Sequence, residues 1–268
     1  YDEEDEAHRI VGKLQELTAE RNVSPGEIAV MYRTNAQSRP FEETFVRAGI
    51  PYQLVGATEF YQRREVKDML AYLRCVANPR DSVSFERIAN VPARGIGPKT
   101  LEDLAIWASR RSITSGEAVR LISRGVTDDL SGRAAKALLP LSRLLGEMDE
   151  VADSAPLSGF LKFVFRESGY EALLGKDEEQ GQERIDNVIE LAAAAARYSG
   201  QSPRDAMLEF LQDVSLVSDV DRMNSEGNAI TLITLHAAKG LEFRQVFIAG
   251  FEEELCPHVR SFTDPEQM

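Results

Sequence analysis

Two short stretches of this 268-residue sequence carry side chains suited to binding a phosphorylated ligand. The first is VMYRTNAQSR, from Val30 to Arg39, which begins inside an apolar run and continues past its end. Ligands of open α/β sheets bind at the carboxyl ends of strands. There, Tyr32 can stack on a base and Arg33 can pair with a phosphate through its planar guanidinium. Taken alone, the pair is weak evidence, because it is more typical of a strand-end tyrosine and a surface arginine.

The second stretch is TLHAAKGLEF, which begins at Thr234 and also follows an apolar run. His236 and Lys239 are hydrogen-bond donors for phosphates, and Gly240 allows a backbone to approach a phosphate closely. Glu242 can accept hydrogen bonds from a ribose. This combination in one loop is compatible with a nucleotide or nucleic-acid site, although the pattern is short.

A third stretch, VPARGIGPKTLEDL, has the form of a helix-hairpin-helix. Its glycines can turn the chain tightly and expose N–H groups at the start of the following helix, which makes an anion site. Such contacts hold the backbone of a duplex without reading its sequence. The alternative is a glycine turn that merely joins two helices. The candidate duplex contacts are Arg94, Gly95, Gly97, Lys99 and Thr100.

Strand and helix signals indicate the elements that position these residues. A helix over SRPFEETFVRA, ended by Gly49, separates two strand-like runs, which favours parallel pairing. Two further apolar runs near the C-terminus are typical of buried parallel strands. The four predicted strands are EIAVMY (Glu27 to Tyr32), YQLVG (Tyr52 to Gly56), AITLITL (Ala229 to Leu235) and QVFIAG (Gln245 to Gly250).

Between residues 82 and 221 helical patterns dominate and strand signals are almost absent. We therefore predict an α/β fold in which an all-helical domain is inserted into a parallel-sheet domain, as a surface loop can tolerate. The sheet domain would comprise residues 1–80 and 225–268, and we expect its sheet to be incomplete at Met268. The helical domain would comprise residues 81–224. The predicted helices are 64–77, 85–90, 98–110, 132–151, 157–167, 183–198 and 203–217.

The charge of −13 is unusual for a protein that binds DNA. Net charge governs long-range steering, however, and a local groove can still be basic. Between Tyr61 and Arg111, basic residues outnumber acidic ones ten to six. This segment is either a local DNA-binding region or a solvated surface of mixed charge.

The sequence also bears on compartment and metals. No apolar run approaches the roughly 18 residues that span a bilayer, and the acidic start YDEEDE is not a secretory signal. Two cysteines, Cys75 and Cys256, are too few for a disulfide framework, so we expect a cytoplasmic protein without membrane association. Cys256 and His258 lack zinc-site spacing, and no metal site is predicted. A first residue of Tyr1 instead of Met leads us to expect a piece of a longer protein.

In order and separation these stretches resemble the motifs of superfamily 1 DNA helicases of the UvrD/PcrA/Rep family. VMYRTNAQSR resembles motif IV, FYQRREVKDMLAYLR resembles the segment after it, and TLHAAKGLEFRQVFIAGFEEELCPH resembles motif V with its continuation. Glu254 departs from the family's usual glycine. The resemblance covers the whole chain and implies a second RecA-like domain, called 2A, with an inserted 2B domain.

The resemblance also implies roles for single residues. Tyr32 would stack on adenine, and Arg33 would reach the γ-phosphate of ATP. The hairpin in the 2B domain would contact duplex DNA. Contacts to the nucleotide's phosphate and sugar would come from Gly240 and Glu242, and contacts to single-stranded DNA from Thr234, His236 and Lys239.

A phosphate loop of the form G-x-x-x-x-G-K-[ST] is absent from the sequence, as is a paired-acid magnesium motif after a strand. We therefore expect the full-length protein to bind ATP and Mg²⁺. The residues of this chain alone are not expected to bind either. We expect the chain to be inactive alone and to work with a first RecA-like half, on single-stranded DNA and duplex junctions, in repair or replication. The resemblance to the helicase family implies translocation from 3′ to 5′. Two alternatives stay open: a non-catalytic DNA- or protein-binding module, and the helicase subunit of a helicase–nuclease.

Overall fold

The computed structural model divides the chain into two compact units. The sheet unit comprises Tyr1–Arg63 and Ser215–Met268, and the helical unit comprises Arg64–Val214. The structure describes residues 3–20, 23–200, 202–221 and 228–251. The stretch after Phe251, with Glu254, Cys256 and His258, lies outside the described residues.

The sheet unit contains a four-stranded parallel sheet in the order β2-β3-β1-β4. Each strand falls within one of the four predicted stretches, so the predicted α/β class and parallel pairing are confirmed. Because β3 and β4 flank β1, the carboxyl ends of all three strands lie side by side at one edge. The strands are β1 (Ile28–Tyr32), β2 (Tyr52–Val55), β3 (Ile230–Thr234) and β4 (Gln245–Ile248).

Two helices of the sheet unit, α1 (Glu3–Glu20) and α2 (Ser38–Ala48), share an apolar core with the strands. Phe45 of α2 and Leu232 of β3 are fully buried in this core. Helix α2 ends where predicted, at Gly49, whose φ of 65° suits glycine and whose N–H caps the last carbonyls. The packed core gives the strand ends a rigid base.

The helical unit contains eight complete helices among the described residues, and a further helix, α11 (Pro203–Asp221), begins in this unit and continues into the sheet unit. Two helices of the helical unit, Ser115–Ile122 and Tyr170–Leu174, are absent from the sequence prediction. The eight are α3 (Arg64–Ala77), α4 (Ser82–Ala89), α5 (Pro98–Ser109), α6 (Ser115–Ile122), α7 (Gly132–Ala152), α8 (Leu157–Glu167), α9 (Tyr170–Leu174) and α10 (Gly181–Ala195). Among the described residues, none of the helices combines the length and the apolar composition that a membrane span needs.

The compact units differ from the predicted division mainly at α3, which groups with the helices instead of the sheet. Two buried carboxylates of α3 explain this, because each needs a partner away from water. Glu65 accepts a hydrogen bond of 2.6 Å from Asn187 of α10. Asp68 accepts one of 2.6 Å from the Arg87 guanidinium and another from the Tyr170 hydroxyl. The division into functional domains at residues 80 and 225 stays a prediction.

Candidate nucleotide and DNA sites

The chain leaves β1 through a short 3-10 turn, Asn35–Gln37, that leads into α2. The Oε1 atom of Gln37 accepts the backbone N–H groups of Arg33 at 3.0 Å and Thr34 at 2.9 Å. On the other side, the N–H of Leu235 donates to the carbonyl of Tyr32 at 2.8 Å. These bonds fix the backbone at the ends of β1 and β3, where the predicted site residues lie.

Arg33 is half-buried at this edge, and its Nη1 atom lies 3.4 Å from Nε2 of the exposed His236. Within the described part of the chain this is the only polar contact of the guanidinium, and the residue forms no ion pair there. Two residues from separate predicted motifs therefore meet. A guanidinium without a carboxylate partner at the carboxyl edge of a parallel sheet is well placed to pair with a phosphate.

Tyr32 does not lie at the surface. Its ring is fully buried and runs parallel to that of Phe41 of α2, with centroids 6.5 Å apart. Its hydroxyl has no hydrogen-bond partner in the described ranges, and burial, with the charge of Glu42 adding to it, raises the pKa of Tyr32. Because the ring presents no free face, the prediction that Tyr32 stacks on adenine conflicts with its place in the core.

The connection from β3 to β4 is a compact series of turns that presents polar groups to solvent. Thr234 is half-buried, and its hydroxyl accepts the N–H of Ala237 at 3.3 Å. His236 and Lys239 are exposed, as is Glu242 further along the loop. The turn requires glycine at Gly240, whose φ is 85°. The loop thus presents two of the predicted DNA contacts and two of the predicted nucleotide contacts, all exposed.

The predicted hairpin joins α4 to α5, as a helix-hairpin-helix requires. Asn90 holds the turn, because its Oδ1 atom accepts the N–H groups of Arg94 at 2.8 Å and Ile96 at 3.2 Å. Gly95 has a φ of 71°, whereas Gly97, the N-cap residue just before α5, has a φ of −84° that any residue adopts. The turn itself therefore requires glycine at 95, and a side chain at 97 would meet open space.

Arg94 points into the helical unit instead of toward solvent. Its Nη1 atom donates to the carbonyls of Ile88 at 3.0 Å and Pro92 at 3.2 Å. Its Nη2 atom donates to the Tyr72 hydroxyl at 2.7 Å and to the Ser168 carbonyl at 2.9 Å. The prediction that Arg94 contacts duplex DNA conflicts with this arrangement, because a phosphate would have to replace these acceptors.

Lys99 and Thr100 lie in the first turn of α5. The side chain of Lys99 is 75% exposed, and its Nζ atom lies 3.1 Å from carboxylate oxygens of both Glu102 and Asp103. Asp103 and Glu102 raise the pKa of Lys99, which therefore stays charged. Thr100 is half-buried, and its N–H donates to the carbonyl of Gly97 at 3.0 Å. Exposed pairs of this kind are weak and can yield to a phosphate.

A family described as the UvrD-like helicase C-terminal domain matches residues 1–267. The chain belongs to this family. The resemblance inferred from the motifs is confirmed, and the parallel sheet with a helical unit between β2 and β3 is the RecA-like and helical arrangement of a UvrD-like C-terminal domain.

Relatives of this UvrD-like domain include three proteins, each named ATP-dependent DNA helicase PcrA. The one from Bacillus subtilis is 36% identical over 272 residues, which cover 98% of this chain and 36% of the relative. Those from Staphylococcus epidermidis and Staphylococcus aureus are 36% identical over 263 and 265 residues, covering 97% of this chain and 35% of each relative. The chain thus spans about a third of the length of these relatives.

Sequence reasoning assigned no role to Gln37, although it fixes the turn of this UvrD-like domain that carries Arg33. The signal was present, because Thr34 and Gln37 have the spacing of a capping box.

The sequence predicted no metal site in this chain. The described ranges contain no group of three or more His, Cys, Asp or Glu side chains that could hold an ion.

Proposed function

We propose that this chain is the second motor half of an ATP-dependent DNA helicase that acts in repair or replication. In this role it supplies one face of a nucleotide site and contacts to single-stranded and duplex DNA. The observation that carries the proposal is Arg33, whose guanidinium lies at the carboxyl edge of the sheet and pairs with no carboxylate of the residues that the structure describes. The PcrA relatives, named as ATP-dependent DNA helicases, support the same activity.

Arg33 would act on the γ-phosphate of ATP. In phosphoryl transfer, negative charge spreads over the γ-phosphate oxygens, and a positioned arginine stabilises it in the transition state. A phosphate loop and the ligands of Mg²⁺ would come from a first RecA-like half, because this sequence lacks the loop and the described residues offer no metal ligand set. Mg²⁺ would neutralise phosphate charge from that side. Gly240 and Glu242, exposed in the β3–β4 loop, would contact the phosphate and sugar.

The DNA contacts would fall in both units. In the sheet unit, Thr234, His236 and Lys239 would face single-stranded DNA. The contact of 3.4 Å between Arg33 and His236 would then link the nucleotide site to the single-stranded DNA. In the helical unit, a second set of residues in the hairpin and in the first turn of α5 would hold duplex backbone. That second set comprises Gly95, Gly97, Lys99 and Thr100.

The experiment uses the purified full-length protein, which we expect to be cytoplasmic, on partial duplexes with a 3′ or a 5′ single-stranded tail. We expect strand separation that requires ATP and Mg²⁺ and favours the 3′ tail, the mark of 3′ to 5′ translocation. Binding of DNA without ATP turnover would point to a non-catalytic module instead. Degradation of the separated strands by a co-purifying subunit would indicate a helicase–nuclease.

A further inference from the structure

We propose that Gln37 is a positioning residue that holds Arg33 in place for phosphoryl transfer. The inference rests on the proposed function, in which Arg33 reaches the γ-phosphate. Gln37 lies in the VMYRTNAQSR stretch. The proposed function assigns no role to this residue.

One side-chain oxygen of Gln37 holds two consecutive backbone amides. Oε1 accepts the N–H of Arg33 at 3.0 Å and that of Thr34 at 2.9 Å, while the N–H of Gln37 donates to the Thr34 carbonyl at 3.1 Å. The residue before Arg33 is held from the other side by the bond between Leu235 and Tyr32. The backbone that carries the Arg33 side chain is therefore fixed from both directions.

The other end of the Gln37 amide faces Gly250, just after β4. A Cβ atom added at Gly250 would lie closer to Nε2 of Gln37 than van der Waals contact permits, and the φ of Gly250 is 64°. The N–H of Gly250 donates to both carboxylate oxygens of Glu6, each at 3.2 Å. A close-packed backbone thus confines the amide, with its oxygen directed at Arg33 and Thr34.

This arrangement predicts an effect on rate more than on affinity. Without the Gln37 oxygen, two amides lose their acceptor and the turn that carries Arg33 relaxes. A displacement of about 1 Å at a charge-stabilising group can lower a rate about 10²-fold. Ground-state binding of ATP, which depends on many other contacts, should change far less.

The test uses the full-length protein and DNA-stimulated ATP hydrolysis. Gln37→Met keeps the length of the side chain and removes the acceptor, and Gln37→Glu keeps acceptor oxygens. We expect Gln37→Met to lower kcat about 10²-fold with little change in KM. We expect Gln37→Glu to recover most of that loss. If Gln37→Met does not fold, Gln37→Asn, which retracts the oxygen by one methylene, takes its place with the same expectations.

A double variant separates positioning from general damage. If Gln37 acts through Arg33, Gln37→Met added to Arg33→Ala causes no further loss. A further loss in the double variant, or an unchanged kcat in Gln37→Met beside a large loss in Arg33→Ala, would overturn the inference and leave the proposed function standing. An unchanged kcat in Arg33→Ala would overturn the proposed function, and the positioning role with it.

Discussion

The turn after β1 and the hairpin between α4 and α5 each place an arginine beside a tight backbone turn, yet the two arginines have opposite surroundings. Arg94 donates to four protein acceptors and is held inside the helical unit. The guanidinium of Arg33 makes a polar contact only with His236 among the described residues. The residue type is the same, so the supply of acceptors among the described residues distinguishes the guanidinium that is left for a ligand from the one that is not.

The largest expected effect is the loss of ATP hydrolysis when this chain, with Arg33, is separated from the rest of the protein. The isolated chain should hydrolyse no ATP above background, with or without single-stranded DNA. Its sequence lacks the phosphate loop, and phosphoryl transfer needs that loop together with a metal and positioned water. Phosphate release from the purified chain measures this. A turnover near 1 s⁻¹, about the rate of ordinary enzymes, would contradict this expectation and show that this half holds a complete site.

For Arg94 the comparison predicts a loss of stability. Arg94→Ala removes a charged donor from acceptors that lie away from water, and we expect the free energy of unfolding to fall by about 2–3 kcal/mol. Urea denaturation of the chain measures it. Arg124→Ala, at an exposed position of the same unit, is the control and should cost less than about 0.5 kcal/mol. A variant as stable as the parent but weaker on duplex DNA would show that Arg94 is a ligand contact.

The hairpin itself can be tested without disturbing the fold. Gly97 has an ordinary φ and open space around it, so Gly97→Val should fold normally and weaken duplex binding only if a phosphate approaches there. Gly95, whose φ is 71°, is the residue of this turn that requires glycine. Duplex titration checks it, with single-strand affinity as the control. Normal duplex affinity in Gly97→Val would leave the hairpin as a structural turn.

The smallest effect is expected at Lys99. Its removal should weaken duplex binding equally for all sequences and reduce the slope of log affinity against log salt by about one. Its pairs with Glu102 and Asp103 are exposed and should cost little to break. Titration of Lys99→Ala at several salt concentrations measures the slope. An unchanged slope would mean that these carboxylates, not a phosphate, are the partners of Lys99.

Local signals were sufficient to predict most elements of the fold. The β-branched runs predicted all four strands, and Gly49 predicted the end of α2. Helix α6 was missed although Thr114 and Glu117 form a capping box at its start. Helix α9 has five residues, too few for a helical period to be visible.

The candidate site was less predictable, because side-chain direction depends on residues far away in sequence. Tyr32 is covered by Phe41 from the next helix, and Arg94 finds an acceptor at Ser168. No local pattern around either residue encodes these partners. The meeting of Arg33 and His236, by contrast, follows from parallel strands whose ends share one edge, which the strand prediction already implied.

Arg33→Ala in the full-length protein shows whether the Arg33 guanidinium binds a phosphate. DNA-stimulated ATP turnover and ATP affinity are measured on the same preparation, with Arg33→Lys as the variant that keeps charge but loses the planar fork. We predict that turnover falls about 10³-fold while affinity changes much less, since the charge matters most in the transition state. Turnover equal to that of the parent protein would show that Arg33 does not reach the nucleotide.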